Sequence, residues 1–229
     1  MLKDSRTRSI IKDSKDRIWI STFDEKYGLV RYDPESGNVI CFREADGMPS
    51  KRIRAVYECS DGSYLAACTG GVAVIRDDRI EKIYGSESGI NNTEILTVAE
   101  GPAGDILAGS DGGGIYVINS SGVKHITTDD GLMSDVIMRI KKANSSDNYW
   151  LVTSNSIAYM TPEYEVHTIK NFPFSNNFDI YENSQGEAWI LSGNGIYVVK
   201  AEELLRNEDI NPVFYGIDNG IPNIANSNS

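Results

Sequence analysis

The sequence predicts an all-β fold of five repeated four-stranded units, and three observations predict it. The first is a glycine hinge between two short β-prone runs. Asp105-Ile106-Leu107-Ala108-Gly109-Ser110 leads through Asp111-Gly112-Gly113-Gly114 into Ile115-Tyr116-Val117-Ile118. Glycine reaches backbone angles that other residues avoid, so it marks the turn of a hairpin. The second is the period: equivalent hinges fall at Gly28, Gly71, Gly114 and Gly195, with Ser156 in the fourth place, at steps of 43, 43, 42 and 39 residues. The third is two further turn signals in the same phase. One precedes each first run, at Lys15-Asp16, Asp61-Gly62, Ala103-Gly104, Asp147-Asn148 and Gln185-Gly186. The other closes a unit, at Asp46-Gly47, Ser88-Gly89, Asp130-Gly131 and Asn219-Gly220. A single hairpin of this size is not stable alone in water. Self-similarity at about 40 residues, with four strands per unit, is the pattern of a β-propeller.

The elements follow in order. Unit one is read as strands 7–12, 17–21, 28–32 and 38–42, and unit two as 53–58, 63–68, 71–76 and 79–84. Unit three is read as 94–99, 105–108, 114–119 and 123–127, and unit four as 136–141, 149–153, 156–160 and 165–169. Unit five is read as 178–182, 187–191, 195–200 and 212–216. These place blades at 7–45, 52–87, 93–128, 135–170 and 178–217 of a single propeller, with 221–229 opening a further, truncated blade. The distance from hinge to closing turn is 25 residues in unit five against 17 in unit three. The excess holds Ala201-Glu202-Glu203-Leu204-Leu205-Arg206, whose helix formers predict one helical turn packed by Leu204 or Leu205. Five blades are expected to belong to a larger propeller of about six to eight. In isolation the chain is then expected to have an open or strained seam, or to self-associate there.

Composition narrows the function classes. Lys and Arg number 22 against 33 Asp and Glu, a formal charge of −11. That argues against a nucleic-acid surface, which needs clustered cations, and disfavours direct contact with anionic membranes. No apolar run is long enough to span a bilayer. Met1-Leu2-Lys3-Asp4-Ser5-Arg6 runs straight into the first strand without a secretory signal, as in a cytoplasmic protein or a piece of a longer chain. Cys41, Cys59 and Cys68 lack metal-ligand spacing and read as small apolar strand residues. If Asp61-Gly62 centres a hairpin, Cys59 faces Tyr64 and Cys68 faces Ala55. His125 and His167 are 42 residues apart, both in outermost fourth strands. No Ser-His-Asp set places its base on the expected binding face, and no metal or cofactor is expected.

Strand order fixes that face. Loops between strands two and three share it with the links from one unit to the next, and loops on a rigid scaffold carry function. Phe23-Asp24-Glu25-Lys26-Tyr27 is the longest hinge loop. The link Phe172-Pro173-Phe174-Ser175-Asn176-Asn177 breaks the repeat, with phenylalanines and amides where a closing glycine is expected. Rings with amide and hydroxyl groups suit a sugar or a small polar ligand. The candidate binding residues are Phe23, Asp24, Glu25, Tyr27, Arg52, Asn92, Asp111, Asp135, Phe174, Asn176 and Asn177. The glycines of 109–114 lack the Lys and following helix of a phosphate loop, and Asp111 lacks a calcium ligand series. Asp24, Glu25, Asp111 and Asp135 leave an enzymatic carboxylate pair as the alternative, a lyase or glycosidase. A protein–protein scaffold is a third possibility.

Asp16-Arg17-Ile18-Trp19-Ile20-Ser21-Thr22, Gly28-Leu29-Val30-Arg31-Tyr32-Asp33 and Asp46-Gly47-Met48-Pro49-Ser50 resemble the two-component regulator propeller repeat. Asp130-Gly131-Leu132-Met133-Ser134-Asp135 and Gly220-Ile221-Pro222-Asn223 are similar to its closing part. Leu65 and Leu107 stand where the repeat has Trp. The resemblance implies the extracytoplasmic input region of a bacterial membrane receptor. Output there is a histidine kinase or a diguanylate cyclase. It implies a non-catalytic role, with a small molecule, a glycan or a partner domain as ligand.

Overall fold

The hinge glycines explain why the repeat keeps its period. The computed structural model describes residues 2–3, 5–173 and 176–221. A Cβ at Gly28, Gly71, Gly114 or Gly195 would lie 2.0–2.2 Å from the carbonyl oxygen of Phe42, Tyr84, Ile126 or Tyr215. Every one of these carbonyls belongs to the end of a fourth strand. All four glycines have positive φ, so a side chain is excluded by both space and backbone angle. Ser156 escapes because its φ is not positive, and its N–H donates to Thr153 Oγ1 at 3.1 Å.

Five four-stranded antiparallel sheets form a β-propeller. The first pairs β1 (Thr7–Lys12), β2 (Ile18–Thr22), β3 (Leu29–Tyr32) and β4 (Val39–Phe42) in that order. The second has β5 (Ile53–Glu58), β6 (Tyr64–Cys68), β7 (Gly71–Arg76) and β8 (Arg79–Tyr84). The third has β9 (Ile95–Glu100), β10 (Ile106–Ser110), β11 (Ile115–Asn119) and β12 (Gly122–Ile126). The fourth has β13 (Ile137–Lys142), β14 (Tyr149–Thr153), β15 (Ile157–Met160) and β16 (Val166–Thr168). The fifth has β17 (Asn177–Glu182), β18 (Glu187–Ser192), β19 (Gly195–Lys200) and β20 (Val213–Tyr215). The expected strands agree to within one or two residues. The excess segment of unit five is helix α1 (Ala201–Arg206), with Leu204 fully buried. Closing glycines 47, 89, 131 and 220 each end a single 3₁₀ turn. Residues 222–229, most of the expected further blade, lie outside the described residues.

The chain divides into two compact units, Met1–Asp111 with Tyr116–Lys124, and Gly112–Ile115 with His125–Ser229. In the first, one core joins Trp19, Leu29, Phe42 and Met48 to Ile53, Val56, Tyr64 and Ile75. A second joins Leu65, Ala67 and Val72 to Ile95, Val98, Ala108 and Tyr116. Strand β6 is therefore buried along its whole length, a middle strand covered on both faces. In the second unit, Trp150, Val152, Ile157 and Ile169 pack with Ile180, Ile190, Tyr197 and Leu204. Trp19 and Trp150 are 0% and 1% exposed, but Trp189, at the same place in its sheet, is 39% exposed. Its strand alternates buried and open residues, with one face uncovered.

Carboxylates at first-strand ends clasp neighbouring turns. Glu58 accepts from Ser14 N–H at 2.8 Å and its hydroxyl at 2.6 Å. Glu100 accepts from Ser60 N–H and its hydroxyl, both at 2.8 Å. Glu182 accepts from Asn144 N–H at 3.0 Å and Trp150 Nε1 at 2.8 Å. Lys142 occupies the corresponding end of β13 and turns to Asp147 of its own hairpin.

The cysteine register needs correcting. Cys59 N–H bonds the Ser63 carbonyl, and Tyr64 pairs with Glu58. The loop is thus Ser60-Asp61-Gly62, three residues rather than two, which moves the register by one. A bulge in β5 moves it by another, so Cys68 faces Ile53. All three cysteines are free thiols, and burial pushes the Cys59 thiol up to about 11.

Candidate functional site

One backbone pattern recurs at the hinge end of every sheet. The residue just after strand two donates its N–H to a carbonyl just before strand one. The pairs are Phe23 to Arg6 (3.0 Å), Thr69 to Arg52 (3.1 Å), Asp111 to Glu94 (2.9 Å), Ser154 to Val136 (3.2 Å) and Gly193 to Asn176 (2.8 Å). Two residues further, each first strand carries a bulge, at Arg8, Arg54, Leu96, Met138 and Phe178. A bulge re-aims its side chain and leaves the ladder on either side intact. The fold therefore presents three side chains per sheet on fixed backbone, and their identity differs from sheet to sheet.

In the first two sheets these positions are strongly cationic. The guanidinium carbons of Arg8, Arg54, Arg6 and Arg52 lie 4.9, 5.2, 5.5 and 6.0 Å from the centre of the Phe23 ring. Phe23 and Arg52, both expected from sequence, also form a backbone bridge. Arg6, Arg8 and Arg54 were not expected. Buried Ser21 fixes the backbone beneath, bonding Ser9 N–H at 3.0 Å and the Arg54 carbonyl at 3.2 Å. Glu94 accepts from Arg54 Nε at 3.0 Å and Nη2 at 2.5 Å, and from Thr69 at 2.8 Å. Burial raises the Glu94 carboxyl, but the Arg54 and Thr69 bonds and the charges of Arg54 and Arg52 outweigh it and hold it below the usual range.

The rest of the Phe23 loop serves its own geometry. Asp24 accepts from Ser5 at 2.7 Å and Lys26 N–H at 2.8 Å, and the Ser5 bond leads in lowering its carboxyl. Glu25 pairs with Lys51 at 3.5 Å, and Lys26 lies 5.0 Å from the Tyr27 ring centre. Asn92 Nδ2 donates to the Asp111 carbonyl at 2.7 Å, and the Asp111 side chain is exposed. In the second unit, Asp135 accepts from Thr128 N–H at 2.8 Å. Its carbonyl takes the N–H groups of Gly112 (3.2 Å) and Gly114 (2.7 Å), so the glycine run is a link between hinge loop and inter-blade segment. Asn176 is exposed; Asn177 is 1% exposed and accepts from Ser192 Oγ at 2.5 Å. Phe174 lies outside the described residues.

His125, on β12, touches the Gly113 carbonyl through Nε2. It is exposed on the outermost strand of its sheet, and the contact brings its ring to the edge of a hinge loop. His167 stacks on Tyr159 with ring centres 4.8 Å apart. Among the described residues no three His, Cys, Asp or Glu side chains gather as a metal site. A groove of the first unit, about 850 Å³, opens at the other strand ends, along Ser60, Asp61, Arg76, Lys82 and Glu100. No sequence feature pointed to it.

No family model and no curated protein matches the sequence. The fold is shared with solved structures. The extracellular domain assigned to the hybrid two-component system BT3049 from B. thetaiotaomicron superposes with a TM-score of 0.77 at 18% identity, over 94% of this chain and 29% of that one. The extracellular domain assigned to the one-component system BT4673 of the same organism gives 0.74 at 21%, over 93% and 31%. A catalytically inactive histidine-to-alanine variant of virginiamycin B lyase from Staphylococcus aureus, solved with quinupristin, gives 0.71 at 17%, over 92% and 70%. The chain thus spans under a third of the length of the receptor domains it resembles.

Proposed function

We propose that the chain is a non-catalytic, ligand-sensing propeller module of a bacterial signal-transduction receptor, on the extracytoplasmic side. It binds a small molecule or glycan at the hinge end of the sheets. The observation that carries this reading is the rim pattern: identical backbone in every sheet, with Phe23, Thr69, Asp111, Ser154 and Gly193 in one structural position. A scaffold that fixes backbone and varies the side chain is built for recognition. The extracellular domains that share the fold support the receptor context. A thermal-shift screen of the 229-residue chain against oligosaccharides and metabolites tests it. The expected result is a ligand that raises Tm for the wild type and not for Phe23→Ala.

One observation favours a lyase as the second reading. His125 lies against a hinge loop, and the lyase that shares the fold is inactivated by loss of a histidine. Mass spectrometry of the screening ligands after incubation separates the two. Unchanged ligand is expected, and a cleaved product lost in His125→Ala establishes the lyase.

A further inference from the structure

We propose that the groove between the second and third sheets binds a small planar aromatic ring carrying an N–H donor, of the indole class. The site is separate from the hinge-end rim and lies at the opposite strand ends. Its ground is one place compared in successive sheets. In the first sheet Trp19 pairs with Arg31 and is buried against residues of the second. Its ring stacks on Phe42 at 5.7 Å and on Tyr64 at 4.2 Å, and its Nε1 donates to Asp13 at 2.8 Å. By register, Leu65, which pairs with Val74, holds that place in the second sheet. Its neighbours change with it: Tyr84 stands for Phe42, Ile106 for Tyr64 and Cys59 for Asp13. The indole and its polar cluster are thus replaced by smaller side chains, and the space is not taken up. The groove here is about 850 Å³, against about 340 Å³ for the one beside Trp19.

What remains around the groove suits the missing ring. Leu65, Val74 and Ile106 line it with apolar surface, and Tyr84 offers an aromatic face on which a second ring packs well. The acceptor is Glu100. It ends β9 and pairs with Ile106, as Glu182 ends β17 and pairs with Ala188. Glu182 accepts the indole N–H of Trp150, from the sheet before it, at 2.8 Å. Glu100 therefore stands where the N–H of a ring in the place of Leu65 would be bonded. Its two oxygens each accept one bond, both from Ser60, and a carboxylate accepts about four. The matching Glu58 takes a further bond from the Tyr64 hydroxyl at 3.0 Å, which Ile106 does not supply. Along the groove Asp61, Glu81 and Glu100 outnumber Arg76 and Lys82. Arg76 is already held by Asp61 at 2.7 Å and Glu81 at 3.0 Å, so the balance disfavours an aryl acid.

The test is an amide NMR titration of the whole chain with indole, 1-methylindole and indole-3-acetate. Indole is expected to shift the signals of Cys59–Ser63 and Gly101–Gly104. The 1-methyl compound lacks the N–H and is expected to bind about fivefold more weakly, the scale of one hydrogen bond. Indole-3-acetate is expected to bind more weakly than indole. Leu65→Trp supplies the ring from the chain itself and is expected to abolish the shifts. Val74→Arg is expected to do the same from a half-buried position, where the first sheet has Arg31, without touching the buried floor. No shift at the solubility limit of indole, shifts away from the groove, or undiminished binding in Val74→Arg overturns the proposal. Equal binding of 1-methylindole overturns the role of Glu100 and the ligand class with it. Indoles are kept out of the thermal-shift screen, so failure of this site leaves the ligand-sensing reading in place, and failure of that reading leaves this site standing.

Discussion

Asp13 offers the sharpest stability experiment. Its carboxylate is 4% exposed and sits beneath Trp19. Oδ2 accepts from Trp19 Nε1 (2.8 Å), Arg17 Nε (2.8 Å) and Tyr64 OH (2.9 Å). Oδ1 accepts from the N–H groups of Lys15 and Arg17, both at 2.9 Å. Burial raises the carboxyl, but these donors outweigh it and bring it from 3.8 down to about 2. At about 1.36 kcal/mol per pH unit, the charged form contributes roughly 2.4 kcal/mol to stability. A depressed carboxylate stabilises above its unfolded pKa and stops doing so as pH falls through the folded one. The contribution is therefore complete at pH 5 and nearly gone at pH 2. Asp13→Asn keeps the size but turns an amide N–H₂ toward donors. The expected loss at pH 7 is about 2–4 kcal/mol. Urea unfolding followed by tryptophan emission measures it for both proteins across that pH range. The gap between wild type and variant should narrow by roughly 2 kcal/mol from pH 5 to pH 2. A gap independent of pH would refute the assignment of this stability to the charge.

The remaining predictions use the same assay. Gly71→Ala should cost about 3 kcal/mol or more, since its Cβ meets the Tyr84 carbonyl at 2.0 Å, whereas Gly62→Ala, with open space around it, should cost about 1 kcal/mol. Trp150→Ala should cost about 3–5 kcal/mol, and Trp189→Ala clearly less, because only Trp150 is fully covered. Glu100→Ala should cost about 1–2 kcal/mol through its two bonds to Ser60, and a loss below about 0.3 kcal/mol would remove the clasp from the account.

What was legible in the sequence was the part enforced by hard sterics. The hinge glycines are required by a carbonyl that a Cβ would strike, so they keep phase while neighbours drift. The helix at Ala201–Arg206 was legible because its residues all favour helix and the unit is too long without it. The bulges were not legible. Arg8, Arg54, Leu96, Met138 and Phe178 share no property, because the bulge is imposed by the backbone and accepts any side chain. That same gap displaced Cys68 by one position in its pairing. Phe23 and Arg52 were found from loop length and charge, but Arg8 and Arg54 looked like ordinary strand residues. Only the bulge turns them onto the Phe23 ring.

The central claim is that the hinge ends of the sheets form the ligand surface. Hydrogen exchange on the whole chain, with and without a ligand from the thermal-shift screen, tests it most directly. The account predicts slower exchange at the rim amides of Phe23, Thr69 and Asp111 and in the segment Lys51–Arg54. Protection confined to Cys59–Ser63 and Arg76–Tyr84, around the groove at the opposite strand ends, would contradict it.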